Sequence, residues 1–218
     1  MALQYEILRA GKDFDVGGPA SVWRAFPSLA VDHYLWLKNG YEPRVEVRLG
    51  LTDRFLYVRF DVEEKEVRAR FTRFQDPVYK DSCVEFFVDT FPDLKRGYLN
   101  FEANAVGTFL IAFGPDRHSR TPLREKDLRG FKSASSIKRP VDGEIGTGHW
   151  ALAYRIPLEL FHKIYGRPVP TGGRGAANFY KCGDETKFPH YGAWSPVGTP
   201  SPDFHRPEFF GALIFGRT

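Results

Sequence analysis

Four side chains define the chemistry this sequence could perform. Glu85 lies in the run Ser82 to Asp89, while Asn100, Glu102 and Asn104 lie in the run Leu99 to Ala105, each on the non-apolar parity of an alternating segment. If the two runs are neighbouring strands, all four side chains project from one face of a sheet. Carboxylates and amides so arranged offer donors and acceptors in fixed directions, which a ring of sugar hydroxyls requires. An ordinary solvated sheet face is the plainer reading of the same residues. Two facing carboxylates are also the minimum apparatus of glycoside hydrolysis, and adjacent strands bring opposed side chains within about 5 Å. A sheet face open to water, however, would not raise a carboxyl pKa as a general acid requires. Glu85 and Glu102 are therefore expected to bind rather than to react.

A sugar ring also needs flat apolar surface for its C–H face. Tyr79, just before the Ser82 run, and Tyr191, Trp194 and Phe204, in the Pro-rich stretch before the last apolar run, could supply it, although each could equally serve loop packing.

Other chemistry is poorly represented. The chain has no Gly-x-Ser-x-Gly elbow, phosphate-cradling loop, His-Glu-x-x-His pair or Cys-x-x-Cys pair. The glycine-rich stretch from Thr171 to Gly175 lacks the spacing of a phosphate loop and reads as a plain loop. Histidines 33, 118, 149, 162, 190 and 205 show no metal-ligand spacing and are expected on the surface or in loops. Cys83 and Cys182 allow one disulfide at most. The 31 basic and 27 acidic residues are interleaved, so the net charge of +4 forms no basic stripe and no nucleic-acid partner is expected. No window approaches the roughly 18 apolar residues of a membrane helix, and Met1 to Val16 lacks the apolar core of a signal peptide.

These residues must be positioned by strands. The 218 residues include 20 Phe, 10 Tyr and 4 Trp, and this aromatic excess favours sheet. Val45, Val47, Leu49 and Leu51 share one parity, as do Leu56, Val58, Phe60 and Val62, and the segment from Thr52 to Arg54 between them reads as a hairpin turn. Val84, Phe86 and Val88, then Leu99, Phe101, Ala103 and Ala105, repeat the pattern. Further strands are expected at Thr108 to Phe113, Trp150 to Ile156, Asn178 to Cys182 and Ala212 to Phe215. Leu158, Phe161, Ile164 and Tyr165 fall at helical spacing and predict one short helix over Pro157 to Tyr165, followed by a loop to Gly175. Many short strands and one helix predict a single all-β domain over residues 1–218, an antiparallel β-sandwich.

Three segments carry a family resemblance: Asp76 to Asp89 (DPVYKDSCVEFFVD), Asn178 to Asp184 (NFYKCGD), and Trp194 to Gly211, which contains WSP and DFHRPEFFG. Together they resemble the family 9 carbohydrate-binding modules and their DOMON-type single-domain relatives, over about Val45 to Phe215. The resemblance implies a DOMON or jelly-roll-like sandwich holding a sugar between two aromatic rings. It implies ligands of the xylan or cellulose type, association with glycoside hydrolases, and an extracellular or periplasmic setting. Anchored on Glu85, it places Tyr79 and Phe204 at the two clamp positions and Glu85, Asn100 and Glu102 at polar positions. Anchored on Asp81, it places Val78 at the first clamp instead. The pattern departs from the family in carrying clamp aromatics other than Trp, in Glu102 where the family has a basic residue, and in Cys83, which looks like an insertion. Trp194, one strand-turn before the second clamp, is expected to be structural, and Cys83 and Cys182, each in a motif, are expected to lie close together. Some members hold structural calcium, for which Asp89, Asp93 and Asp184 are candidates by residue type. Haem-binding relatives use Met and His, and Met1 is the only Met.

Overall fold

The computed structural model describes residues 3–216. Its central hairpin follows from alternation. Strands Arg44–Leu51 and Phe55–Glu63 pair antiparallel, with Val45 opposite Val62, Val47 opposite Phe60 and Leu51 opposite Leu56, so Val45, Val47, Leu49 and Leu51 reach the same face as Leu56, Val58, Phe60 and Val62. Thr52 closes the turn: its backbone N–H donates to Phe55 O (2.9 Å) and its hydroxyl accepts from the Phe55 N–H (3.1 Å). Strand His149–Pro157 adds to the free edge of this hairpin, Lys132–Ser135 extends it, and Ser28–Val31 pairs with the other edge. This is one layer of the sandwich.

The second layer runs, in spatial order, through Phe109–Gly114, Tyr98–Asn104, Cys83–Asp89, Arg174–Cys182 and Gly211–Phe215, all paired antiparallel. Its inward residues Val84, Phe86, Leu99, Phe101 and Phe179 meet the inward residues of the first layer in one core. Phe179 joins the layers, stacking on Phe86 at 4.9 Å and meeting the ring of Phe60 edge-on at 6.3 Å. The predicted helix is Leu158–Tyr165, with Leu160, Phe161 and Tyr165 buried and Gly166 in the left-handed region at φ 75° ending it.

The fold is not wholly antiparallel. Strand Gln4–Arg9, which the sequence pattern did not reveal, runs parallel to both its neighbours: Gln4 to Ile7 pair with Ala212 to Phe215, and Leu8 and Arg9 pair with Gly50 and Leu51. It changes partner midway and so stitches the two layers together along one edge.

Inside the sandwich, one polar group interrupts the apolar core. Lys181 donates to Glu64 (3.2 Å) and to His190 Nε2 (2.7 Å), and Glu64 also accepts from the Trp150 indole and the Ser82 hydroxyl, both at 3.0 Å. Because an ammonium only donates, His190 Nε2 must accept and its Nδ1–H donates to Phe188 O (2.7 Å). Burial and then the Lys181 charge pull the His190 pKa down to about 2. His190 and His205 lie in loops, as expected, but both are buried, because each is an acceptor for a cation that also serves a carboxylate.

Candidate functional site

The outward face of the second layer is where sequence expectation needs most correction. Cys83, Glu85 and Phe87 stand opposite Asn104, Glu102 and Asn100 in register, so the predicted polar set does share one face. That face is not open to water. Glu85 is 3% and Glu102 2% exposed, and Asn100 and Asn104 are fully buried, because two loops lie over the sheet.

The polar outward side chains hold those loops down. Asn178 accepts from the Ser195 N–H (2.9 Å) and donates to Ser195 O (2.8 Å), and the Tyr180 hydroxyl donates to Phe204 O (3.0 Å), anchoring the segment that carries Phe204. On the other side Asp81 accepts from the backbone N–H groups of Arg70 and Phe71, from Asn104 and from Arg68, fixing the segment that carries Tyr79. Asn104 is thus committed to loop anchoring, with a further donation to Phe71 O at 2.8 Å, and does not reach the cavity. Asn100 also stays out of the cavity and donates to Glu102 Oε1 (2.9 Å).

What remains between sheet and loops is a cavity of about 220 Å³. Glu85 and Glu102 lie at its floor, Tyr79, Tyr191 and Phe204 supply aromatic surface, and Arg117, Arg120 and Asp184 add charge. Tyr79 lies here while Val78 is buried in the packing beneath the loop, so the register anchored on Glu85 is the one that brings an aromatic to the cavity. Phe204 is stacked on Tyr180 at 4.1 Å and 11°, with Trp36 at 5.9 Å and Tyr191 at 6.2 Å also beside it, and borders the cavity with the little of its ring that stays uncovered. Trp194 packs edge-on against Phe179 at 5.6 Å in the main core, away from the cavity. A larger groove of about 670 Å³ lies between the Thr52 turn and the helix, but its carboxylates, Asp53 and Glu159, are both solvent-exposed, and Asp53 is paired with Arg9.

The two floor carboxylates are electrostatically unequal. Glu102 accepts from Arg120 Nη1 at 3.0 Å, and that guanidinium also donates to His205 Nε2 (2.8 Å), whose Nδ1 is 2.8 Å from the Tyr98 hydroxyl. Where the resemblance has a basic residue, this chain has Glu102 and returns a cation from the neighbouring loop. Burial raises the Glu102 pKa and Arg120 opposes the rise. Glu85 pairs with no cation among the described residues, and its hydrogen bond comes from the Cys182 thiol (3.2 Å). Burial first, and the nearby Glu102 charge second, push its pKa well above the usual carboxylate range. Burial thus favours the neutral form of Glu85, and the burial of both carboxyl groups removes the argument that a solvent-open face forbids an acidic role there.

Sequence reasoning missed Arg117 and Arg120, in the irregular segment just after Phe109–Gly114, and His205, in the loop before Gly211–Phe215, none of which alternation places. Cys83 and Cys182 are register partners, as their motif positions suggested, and both are free thiols. The three candidate calcium ligands do not form one site. Asp89 stands six residues along its strand from the Cys83–Cys182 pair, about 20 Å, Asp93 pairs with Arg167, and Asp184 lines the cavity. Calcium needs six to eight oxygens, and these residues do not gather them. Met1 lies outside the described residues.

Comparison with known proteins identifies the fold and the family. The model of carbohydrate-binding family 9 matches residues 24–215. A crystal structure of a candidate carbohydrate-binding protein from Bacteroides uniformis ATCC 8492 is 31% identical, with a TM-score of 0.85 over 99% of this chain and 100% of that one. A family 9 module from Caldicellulosiruptor kristjanssonii in complex with glucose shares 16% identity and a TM-score of 0.66 over 99% of this chain and 97% of that one. The same organism's module in complex with cellotriose shares 15% identity and a TM-score of 0.65 over 99% and 95%. No curated protein matches. With the family model spanning most of the sandwich and both motif-bearing loops, the chain belongs to carbohydrate-binding family 9.

Proposed function

We propose that this chain binds a carbohydrate in the Glu85–Glu102 cavity without transforming it. The observation that carries the reading is the cavity's composition: aromatic surface from Tyr79, Tyr191 and Phe204 over a floor of two buried carboxyl groups, Glu102 paired with Arg120 and Glu85 pushed toward its neutral form. Such a floor both donates and accepts, as a sugar hydroxyl does. Tyr79 and Phe204 take the two apolar faces of the ring in this reading, and the ligands are oligosaccharides of the cellulose or xylan type. Distant family 9 structures hold glucose and cellotriose, which supports that choice. The domain would act beside glycoside hydrolases on plant polysaccharide.

Calorimetry with cello- and xylo-oligosaccharides tests it. A dissociation constant in the micromolar to millimolar range, roughly −8 to −4 kcal/mol, is expected. No heat and no glycan-array signal with any of these sugars would sink the proposal.

One observation favours a second reading, glycoside hydrolysis: two buried carboxyl groups stand opposite each other and burial pushes the Glu85 pKa up. Against it, Glu102 is held by Arg120 and Asn100 and so is poorly placed to act as a free base or nucleophile. Release of new reducing ends from these oligosaccharides would establish turnover and displace the binding reading.

A further inference from the structure

The floor of the cavity also carries a different ligand set. Cys83 and Cys182 face each other in register, the Glu85 carboxyl stands beside them, and one ligand atom from each lies within 4.8 Å of the other two. Cys182 Sγ is 3.2 Å from Glu85 Oε1. Two ligands on one zinc ion, at about 2.3 Å for sulfur and 2.0 Å for oxygen in tetrahedral geometry, stand about 3.5 Å apart. That edge of the triangle is already close to the spacing one ion would impose.

The local hydrogen bonding leaves room for such an ion. Apart from the Cys182–Glu85 hydrogen bond, the thiols make only long contacts to backbone carbonyls, Cys83 to Val84 O at 3.7 Å and Cys182 to Tyr79 O at 3.6 Å. Glu85, almost wholly buried, has no cation among the described residues. A buried acid whose partner is a thiol is poorly compensated. Cys182 and Glu85 line the cavity while Cys83 lies behind them, so the triangle opens toward the empty space.

We propose that Cys83, Cys182 and Glu85 form a three-ligand site for a thiophilic divalent cation, zinc foremost, whose fourth position opens into the cavity. Two sulfur ligands favour zinc over calcium or magnesium, which prefer oxygen alone. Loading exchanges the metal for the protons of both thiols and any that Glu85 carries, which pass to solvent; nothing is oxidised or reduced. Three anionic ligands around a dication leave a single negative charge, near the Arg120 guanidinium that already serves Glu102. The open position takes water, or a hydroxyl of whatever occupies the cavity. The site stands or falls independently of sugar binding.

The test uses the full chain, reduced, stripped with a chelator and titrated with cobalt(II) in sugar-free buffer. One equivalent should give a near-ultraviolet thiolate-to-cobalt charge-transfer band with tetrahedral visible bands, and zinc should bleach both. Cys83→Ser and Cys182→Ser should each weaken cobalt binding roughly tenfold or more. Zinc should also raise the thermal midpoint of the parent by a roughly constant step for each tenfold rise in its free concentration above the dissociation constant, a readout that needs no variant. Absence of the charge-transfer band, a band that survives in the double Cys variant, or a midpoint indifferent to zinc would each overturn the site.

Discussion

Glu85 and Glu102 oppose each other directly across adjacent antiparallel strands, yet only Glu102 holds a cation, the Arg120 guanidinium at 3.0 Å. The asymmetry makes the two positions respond differently to the same substitution. Glu102→Gln strands Arg120 beneath the loop and should cost about 2 to 4 kcal/mol in urea unfolding, less than a fully buried pair because a fifth of the Arg120 side chain stays in solvent. Glu85→Gln keeps the side-chain shape and strands no cation, and should cost less than about 1 kcal/mol. Equal losses for both would mean that the pair shares its charge.

The aromatic positions should separate binding from stability. Tyr79→Ala removes a half-buried ring at the cavity and is expected to weaken sugar binding about 5- to 150-fold, or roughly 1 to 3 kcal/mol, with little change in the unfolding midpoint. Phe204→Ala should weaken binding on a similar scale and also destabilise the fold, because its ring is packed on Tyr180. Calorimetry paired with thermal unfolding checks both, and retained affinity in the two variants would discard the clamp.

Trp194 has a purely structural part in this arrangement. Its ring meets Phe179 in the main core, so Trp194→Ala should cost about 3 to 5 kcal/mol of stability. A variant that unfolds normally but no longer binds sugar would transfer Trp194 to the site.

The buried His190 gives a pH signature. Its folded pKa, about 2, lies below the ordinary 6.5, so the neutral ring contributes fully above pH 6.5 and that contribution is lost as pH falls through the window toward 2. His190→Gln can still accept from Lys181 but cannot take up a proton. The stability gap between parent and variant should therefore narrow by about 2 kcal/mol between pH 7 and pH 5, at roughly 1.4 kcal/mol per pH unit. Denaturant titrations at several pH values would measure it; a gap independent of pH means that His190 is not held neutral.

The hairpin of Val45 and Phe60 and the facing pair Glu85 and Glu102 were legible because period-two alternation fixes which residues share a face. Alternation is silent on what covers a face. Asn104 and Asn178 have the parity of exposed polar residues, yet they anchor loops whose paths are set by residues far away in the chain. Lys181 has inward parity, and its acceptor Glu64 lies 117 residues distant, so no local pattern could announce their pairing. Arg120 reaches Glu102 from an irregular segment for the same reason. Strand Gln4–Arg9 buries only Tyr5 and Ile7 and exposes Leu8, too little periodicity to separate it from a loop.

That first strand has a mechanical consequence. Gln4–Arg9 runs alongside Gly211–Phe215 in the same direction, Gln4 beside Ala212 and Ile7 beside Phe215. Tension applied through the two ends of the chain would draw the first strand back toward its start and the last strand onward past its finish, sliding one along the other. The hydrogen bonds between them lie across that motion, so they share the load and must give way together, whereas a hairpin pulled at its open end would unzip one bond at a time. The domain thus meets a pull along its own chain in shear, the stiff direction of a sheet.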